Sequence, residues 1–436
     1  MEMNLYFLKL MKSLVLSLLV LAGTLFPTNA QSTREAIFND IAQTGGVYYA
    51  YPTKEAVSTP APKGYKPFYI SHYARHGSRW LIADKDYKWV VDLFEKAHQA
   101  GALSELGEDV RARLAVIWKD AEGHGGDLTP LGVKQHRGIA ERMYRNYPEV
   151  FEGMPDMSAR STVVIRCVLS MDAFCERLKE LNPKLNITRE SSEKYMGYLN
   201  FHTQEGMKFT SKEGPWYEEY RKFEESHVHP DRLVNTLFNS EEYIRKNVNP
   251  KELMWGLYWI ASDMQNVELG ISLYDIFEKQ ELFDIWQIGN YHNYVCDGPA
   301  PINGRLMVAN AKTLVQNILD SADEAIKTGT NSATFRFGHD GNVIPLVGLL
   351  QLDNCWNAET DPDKFYQAWC NFKVTPMAAN VQMIFFRKKG SDDILVKFLH
   401  CEKETGIPVK TDIAPFYHWK DVKAYYTGIL KDLPGY

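Results

Sequence analysis

The sequence has no excess of positive charge: 49 Lys and Arg stand against 55 Asp and Glu, a net charge of −6 at pH 7. Coating a polyanion needs a basic face, so nucleic acid is excluded as a partner class. Metal motifs are missing as well. The chain has no H-E-x-x-H and no C-x-x-C, so neither a zinc site nor any other cofactor site is legible. Long apolar runs are confined to residues 14–26, broken only by Ser17, Gly23 and Thr24, after Lys9 and Lys12 and before Pro27-Thr-Asn-Ala30. That run is short against the roughly 20 residues a bilayer span needs. With the small residues Thr28 and Ala30 behind it, residues 1–30 read as a secretory signal peptide, with Met11 an alternative start. No cysteine follows the run, so a lipid anchor is not expected either. The expected product is an exported protein, periplasmic or secreted after cleavage near Ala30, with no stable membrane anchor.

Cysteine is sparse, with six residues between Cys167 and Cys401. An oxidising compartment permits disulfides, and Cys355 with Cys370 is the pair that spacing favours; buried free thiols are the alternative for the others. No internal repeat or low-complexity linker breaks the remaining roughly 400 residues, which suit one large domain with an insertion, or two domains.

What is present centres on Phe68-Tyr-Ile-Ser-His-Tyr-Ala-Arg-His-Gly-Ser-Arg-Trp80. Residues 68–73 read as a strand that ends just before Arg75, so Arg75, His76 and Arg79 sit at its tip beside the Gly77 break. Two guanidiniums and an imidazole make a poor core but suit a tetrahedral dianion. This is a candidate phosphate site with a histidine nucleophile; a surface Arg-His cluster is the plainer alternative. His72 and His76 have the i, i+4 spacing of a helical metal pair, yet four extended residues span about 13 Å, too far for one ion.

A second strand, sharp turn and helix is expected at residues 332–350, carrying Gly338-His339-Asp340-Gly341. Ligands gather beyond the carboxyl ends of strands in α/β sheets, so the two turns can meet; a turn histidine and a helix-capping aspartate are the alternative. Residues 158–180 read as a helix opened by Ser or Thr, with Arg166 in its first turn, where a cation is unfavourable unless an anion or carboxylate compensates. Helices are also expected over 86–100, 105–119, 130–146 behind the Thr129-Pro130 start, 234–248, 251–282 and 303–327, and a hairpin over 382–387 and 394–400. Residues 31–66 read as a leader draped over the surface. The aromatic-rich segment 181–300 reads as helical, its Trp and Tyr serving core or ligand cleft.

Arg75-His-Gly-Ser-Arg79 matches the R-H-G-x-R signature of the histidine phosphatase superfamily, in its acid phosphatase branch. Asp127-Leu-Thr-Pro-Leu-Gly132 with Gln135, Ser161-Thr162 leading to Arg166, Gly338-His-Asp-Gly-Asn342 and Pro376-Met-Ala-Ala-Asn380 resemble the same branch in the same order. The resemblance implies an α/β fold with a phosphoglycerate-mutase-like three-layer core and a mostly parallel sheet, its first part at 31–180 and its second at 301–436, with 181–300 an inserted helical cap. It implies a phosphomonoesterase in which His76 is the nucleophile and Asp340 the general acid, while Arg75, Arg79, Arg166 and His339 hold the phosphoryl oxygens and no cofactor is needed. The expected partner is a small-molecule phosphate ester, and the expected state a monomer. The chain is similar to phytases and multiple inositol polyphosphate phosphatases, which implies inositol phosphates as substrates. Sugar-phosphate or broad acid phosphatase activity is the alternative, and a non-catalytic phospho-ligand binder the reading from another class. One departure stands out: the inositol polyphosphate branch commonly has His-Ala-Glu where this chain has His339-Asp340-Gly341.

Overall fold

The computed structural model describes residues 28–52 and 58–433. Eight strands, β1 (Tyr65–Arg75), β2 (Asp156–Ser161), β3 (Asn186–Ser191), β4 (Asn331–Gly338), β5 (Asn380–Lys388), β6 (Ile394–His400), β7 (Lys403–Glu404) and β8 (Phe416–His418), form one sheet in the order β3-β2-β4-β1-β5-β6-β7, with β8 also on β6. The β3-β2-β4-β1 half is parallel, and β5 and β6 add an antiparallel hairpin against β1. β1 is central and buried from Tyr69 onward, as expected of a near-continuous apolar strand covered on both faces. Register aligns the strand tips. Arg75 lies opposite Gly338, and Ser161 opposite Phe337, so the turns after β1, β2 and β4 open at one edge.

The principal helices are α1 (Lys85–Gln99), α2 (Glu105–Ala121), α3 (Pro130–Asn146), α4 (Ile165–Leu181), α5 (Tyr217–His227), α6 (Pro250–Asp263), α7 (Lys279–Cys296), α8 (Lys312–Thr328), α9 (Asp340–Leu349) and α10 (Trp419–Asp432). Local chemistry sets several of their starts. Thr129 accepts from Gly132 N with Pro130 behind it at α3, Ser104 accepts from Gly107 N at α2, and Glu278 with Glu281 forms a capping box at α7. Helices α3 and α4 cover one face of the sheet, burying Ile139, Met143, Phe174 and Leu178 against Ala74, Phe335 and Phe337. A larger apolar cluster on the other side joins α1, α6, α7, α8 and α9. The result is the three-layer α/β architecture expected.

Several elements differ from the sequence reading. Residues 158–180 are not one capped helix: Met157, Ala159 and Ser161 alternate inward along β2, and α4 starts at Ile165 without a side-chain cap. Segment 234–248 is two short helices, Asp231–Leu237 and Glu241–Asn247, the second capped by Ser240. The expected 251–282 helix stops at Asp263 and resumes as α7 at Lys279, and α8 begins at Lys312 after a short helix, Leu306–Ala309. β3 lies beyond residue 181 yet pairs in parallel with β2. The leader is packed in, with Ile37, Thr44, Tyr48 and Tyr51 buried. No disulfide joins Cys355 and Cys370: all six cysteines are free thiols, the Cys355 sulfur lying 3.7 Å from His400 Nδ1 while Cys370 donates to the Tyr366 carbonyl. Residues 1–27 of the expected signal peptide lie outside the described residues. Among the described residues no helix is long and apolar enough to cross a membrane.

Candidate functional site

The turn after β1 is clamped from three sides. His76 N–H donates to the Gly338 carbonyl at 2.9 Å, and the His76 carbonyl accepts from Ala378 N at 2.9 Å. Gly77 N–H donates to Ser170 Oγ at 3.1 Å. Gly77 is required by a close approach, since a Cβ there would fall 2.5 Å from the Gly132 oxygen and 2.6 Å from its Cα. The start of α3 therefore rests directly on the turn. Gln135 extends this seat: it accepts from Ser78 N and donates to Ser78 Oγ, both at 2.8 Å, and Ser78 Oγ donates to Asn266 Oδ1 at 2.7 Å. Residues 127–135 thus hold the turn by packing and hydrogen bonding.

Inside this frame the six residues picked out in the sequence converge. His76 is buried, and its Nδ1 lies 2.9 Å from the Gly77 carbonyl. A carbonyl accepts only, so Nδ1 carries the proton and Nε2 keeps its lone pair. Burial and the guanidiniums of Arg75, Arg79 and Arg166 hold the imidazole well below its usual 6.5, which keeps it neutral. The His339 ring stands 5.8 Å from that of His76, with Nε2 3.1 Å from Thr162 Oγ1. Burial, aided by the same arginines and opposed by Asp340, pushes His339 down to about 4.

The three arginines are only partly satisfied by protein. Arg75 Nη1 donates to the Val47 and Thr375 carbonyls at 2.6 and 2.8 Å, and Nη2 faces Asp340 Oδ2 at 3.2 Å as an ion pair without hydrogen-bond alignment. Arg79 Nη1 donates to Tyr48 Oη at 2.9 Å and to the Trp80 carbonyl at 2.7 Å, with the guanidinium 4.7 Å over the Tyr48 ring. Arg166 reaches the Gly126 carbonyl at 3.4 Å from the first turn of α4. Each of the three has a buried Nε without a hydrogen-bond partner. Buried donors left unpaired are costly and rare, and three positive ones around a neutral imidazole are arranged for an anion.

Asp340 opens α9, one-third exposed at its side chain, and accepts from Gly341 N at 3.1 Å. Burial raises its pKa, but Arg75, Arg79, His339 and the Gly341 N–H outweigh that and leave it below 3.8. His72 does not join His76. It stacks on Phe174 at 5.1 Å within the core, and burial pushes it down to about 3.

The structure adds residues that sequence reasoning missed. Tyr48 comes from the supposed leader. Asp263 at the end of α6 is fully buried, accepts a hydrogen bond from Tyr87 Oη, and is pushed up to about 7 mainly by burial. Thr162 orients His339, and Asp297, held by Asn293 Nδ2 at 3.2 Å, is raised to about 6 by burial with a further push from Asp340. No local pattern marks Tyr48, Asp263 or Asp297, whereas Thr162 stands in the Ser161-Thr162 motif and only its contact with His339 is new.

The histidine phosphatase superfamily (branch 2) profile matches residues 74–401. Among solved structures, the multiple inositol polyphosphate phosphatase of Bifidobacterium longum, in complex with inositol hexasulfate, superposes with a TM-score of 0.77 at 17% identity, covering 88% of this chain and 97% of that one. The phytase from D. castellii follows with a TM-score of 0.66 at 15% identity, over 90% and 86% of the two chains. Hafnia alvei phytase in complex with tartrate gives 0.51 at 12% identity, over 86% and 100%. No curated relative matches the sequence. These likenesses agree on the fold, and the profile spans both site-bearing turns, from the end of β1 past β6; the chain belongs to branch 2 of the histidine phosphatase superfamily and is a phosphatase.

Proposed function

We propose that this phosphatase is an exported, monomeric phosphomonoesterase that acts through a phosphohistidine on His76 and hydrolyses inositol phosphates. The observation that carries the reading is a neutral His76, its Nδ1 tied to Gly77, among three arginines whose N–H groups protein leaves in part unpaired. Arg75, Arg79, Arg166 and His339 bind the phosphoryl oxygens and stabilise charge that builds in the transition state. Nε2 attacks phosphorus, the P–O bond to the alcohol breaks, and Asp340 gives the departing oxygen its proton. Water then attacks the phosphohistidine, gives a proton back to Asp340, and releases inorganic phosphate. The arginines supply the charge, so no metal is needed. Export rests on residues 1–30, and the helical part of 181–300 that follows β3 serves as the cap.

Inositol phosphates are supported by the fold shared with phytases and an inositol polyphosphate phosphatase. Sugar phosphates are the second reading, since His339-Asp340-Gly341, standing where the inositol polyphosphate branch commonly has His-Ala-Glu, follows the His-Asp pattern that phytases share with sugar phosphatases. Mere binding of a phosphorylated ligand would need neither nucleophile nor acid, and turnover of an aryl phosphate separates it from catalysis. Acid quenching during turnover of labelled substrate is expected to trap phosphate on His76, and His76→Ala to abolish turnover. Label on a serine or aspartate, or activity surviving in the variant, would overturn the mechanism.

A further inference from the structure

Beside the arginine site lies a cleft of about 550 Å³, within the roughly 300–1,000 Å³ of small-molecule sites. Its walls are aromatic and fixed. Trp255 and Trp259, one turn apart on α6, lie nearly parallel, with ring centroids 5.6 Å apart at 20°. Trp255 Nε1 donates to Glu224 Oε1 at 3.2 Å, and Trp259 leans on Tyr48 at 5.7 Å. Gly256 lies between them, and a Cβ there would fall 2.4 Å from the Trp89 ring. The missing side chain lets Trp89 of α1 lie against α6 while remaining 38% exposed. Tyr48 joins the cleft to the phosphate site, because its ring lines the one and its hydroxyl accepts from Arg79 in the other.

Two carboxylates complete the lining: Asp86, with one oxygen held by Ala83 N at 3.0 Å, and Glu252, exposed in the first turn of α6. They repel phosphate groups and accept hydrogen bonds from hydroxyls. Trp255 and Trp259 are stacked on each other rather than set around an open centre as in the cage that holds a quaternary ammonium, and the aromatic wall they form with Trp89 and Tyr48 suits the C–H face of a saturated ring. We propose that this cleft is the subsite for the alcohol portion of the substrate, taking a sugar or cyclitol ring whose bound face carries hydroxyls and no further phosphate. The inference rests on the phosphomonoesterase reading and narrows its substrate class to sparsely phosphorylated rings.

The test compares kcat/KM for glucose 1-phosphate, ethyl phosphate and inositol hexakisphosphate in the wild type, Trp255→Ala and Glu252→Lys. The ratio of glucose 1-phosphate to ethyl phosphate should fall about tenfold in Trp255→Ala, the scale of a lost aromatic contact. In Glu252→Lys, a surface change that spares the core, the ratio of the hexakisphosphate to glucose 1-phosphate should rise. Methyl glucoside should quench tryptophan fluorescence in wild type saturated with inorganic phosphate, which occupies the arginines. Unchanged ratios in both variants, or no quenching, would overturn the subsite. A wild type that turns over none of the three esters, ethyl phosphate included, would overturn the phosphomonoesterase reading itself, and quenching would then still report on the cleft.

Discussion

Replacing Asp340 by asparagine isolates the proton donation proposed for it from everything else this residue does. Asparagine keeps a carbonyl oxygen for the Gly341 N–H at 3.1 Å or for Arg75 Nη2, 3.2 Å from the present carboxylate, so the turn is held. What it loses is the transferable proton. Removing a general acid costs about 10²- to 10⁴-fold, or roughly 2.7–5.5 kcal/mol at 1.36 kcal/mol per tenfold. An alkoxide leaving group feels the whole loss, whereas a phenolate departs with little help. The turnover of inositol phosphates or ethyl phosphate should therefore fall by that range, and that of 4-nitrophenyl phosphate by less than about tenfold. The pH profile supplies a second arm. A carboxyl with a pKa of 3.8 is only about 6% protonated at pH 5, and Asp340 lies lower still beside Arg75 and Arg79. Its proton must arrive with the substrate monoanion, whose second pKa is about 6, or after bound phosphate has offset the guanidiniums. On alkyl esters the wild-type kcat/KM should rise as pH falls from about 7 to 5, and this rise should vanish in the variant. His76 does not oppose it, because its pKa is held well below 6.5. Steady-state kinetics on both esters check each arm. Equal losses on alkyl and aryl esters with the pH rise retained would refute the reasoning and leave Asp340 as a partner for Arg75 only.

Gly77→Ala drives a methyl group against Gly132 backbone at 2.5 Å, which no side-chain rotation relieves; a loss of about 1–3 kcal/mol in urea unfolding and at least tenfold in activity is expected, and wild-type values would show that the turn and α3 are not in contact. Asp263 is raised from 3.8 to about 7 by burial, so its contribution to stability is full below about 4 and lost as pH rises through 7, by up to roughly 4 kcal/mol. Asp263→Asn should therefore flatten that part of the stability profile in denaturant titrations, and a parallel profile would remove the penalty assigned to this carboxyl. Inorganic phosphate at 100 times its Kd should add about 2.7 kcal/mol of stability, seen as a higher Tm against a chloride control, and Arg166→Ala should lose much of that gain; an equal gain in the variant would place the anion elsewhere.

The sequence carried the site farther than the scaffold around it. The turns after β1 and β4 were legible because charged residues cluster where apolar strands end, and α3 because Thr129-Pro130 is a strong helix start. β2 was lost to its own composition: Ser158 and Ser161 look like caps, and only Met157 and Ala159 supply an apolar alternation. β3 has no inward apolar face, being almost wholly exposed, and its pairing is a property of β2. Tyr48 carries no mark of its own, since its place beneath Arg79 arises from a segment that meets the turn only in three dimensions. The unpaired Nε atoms follow the same logic. A sequence names donors, and only packing decides which of them protein leaves unanswered. Cysteine pairing fails for a kindred reason, because proximity along the chain says nothing of where the sulfurs point.

The place of β1 between β4 and β5 governs when this enzyme can exist. Both of its neighbours are made late, and Arg75 meets Gly338 only after about 260 intervening residues have been synthesised, a long-range closure of the kind that slows folding. Until then β1 is an apolar ribbon with both edges open, which is a template for aggregation. A truncated or half-folded chain therefore holds His76 without the turn that faces it. Recovered catalysis during refolding counts molecules whose two ends have docked, while far-ultraviolet circular dichroism counts helices, and the lag between the two signals measures the closing of the sheet.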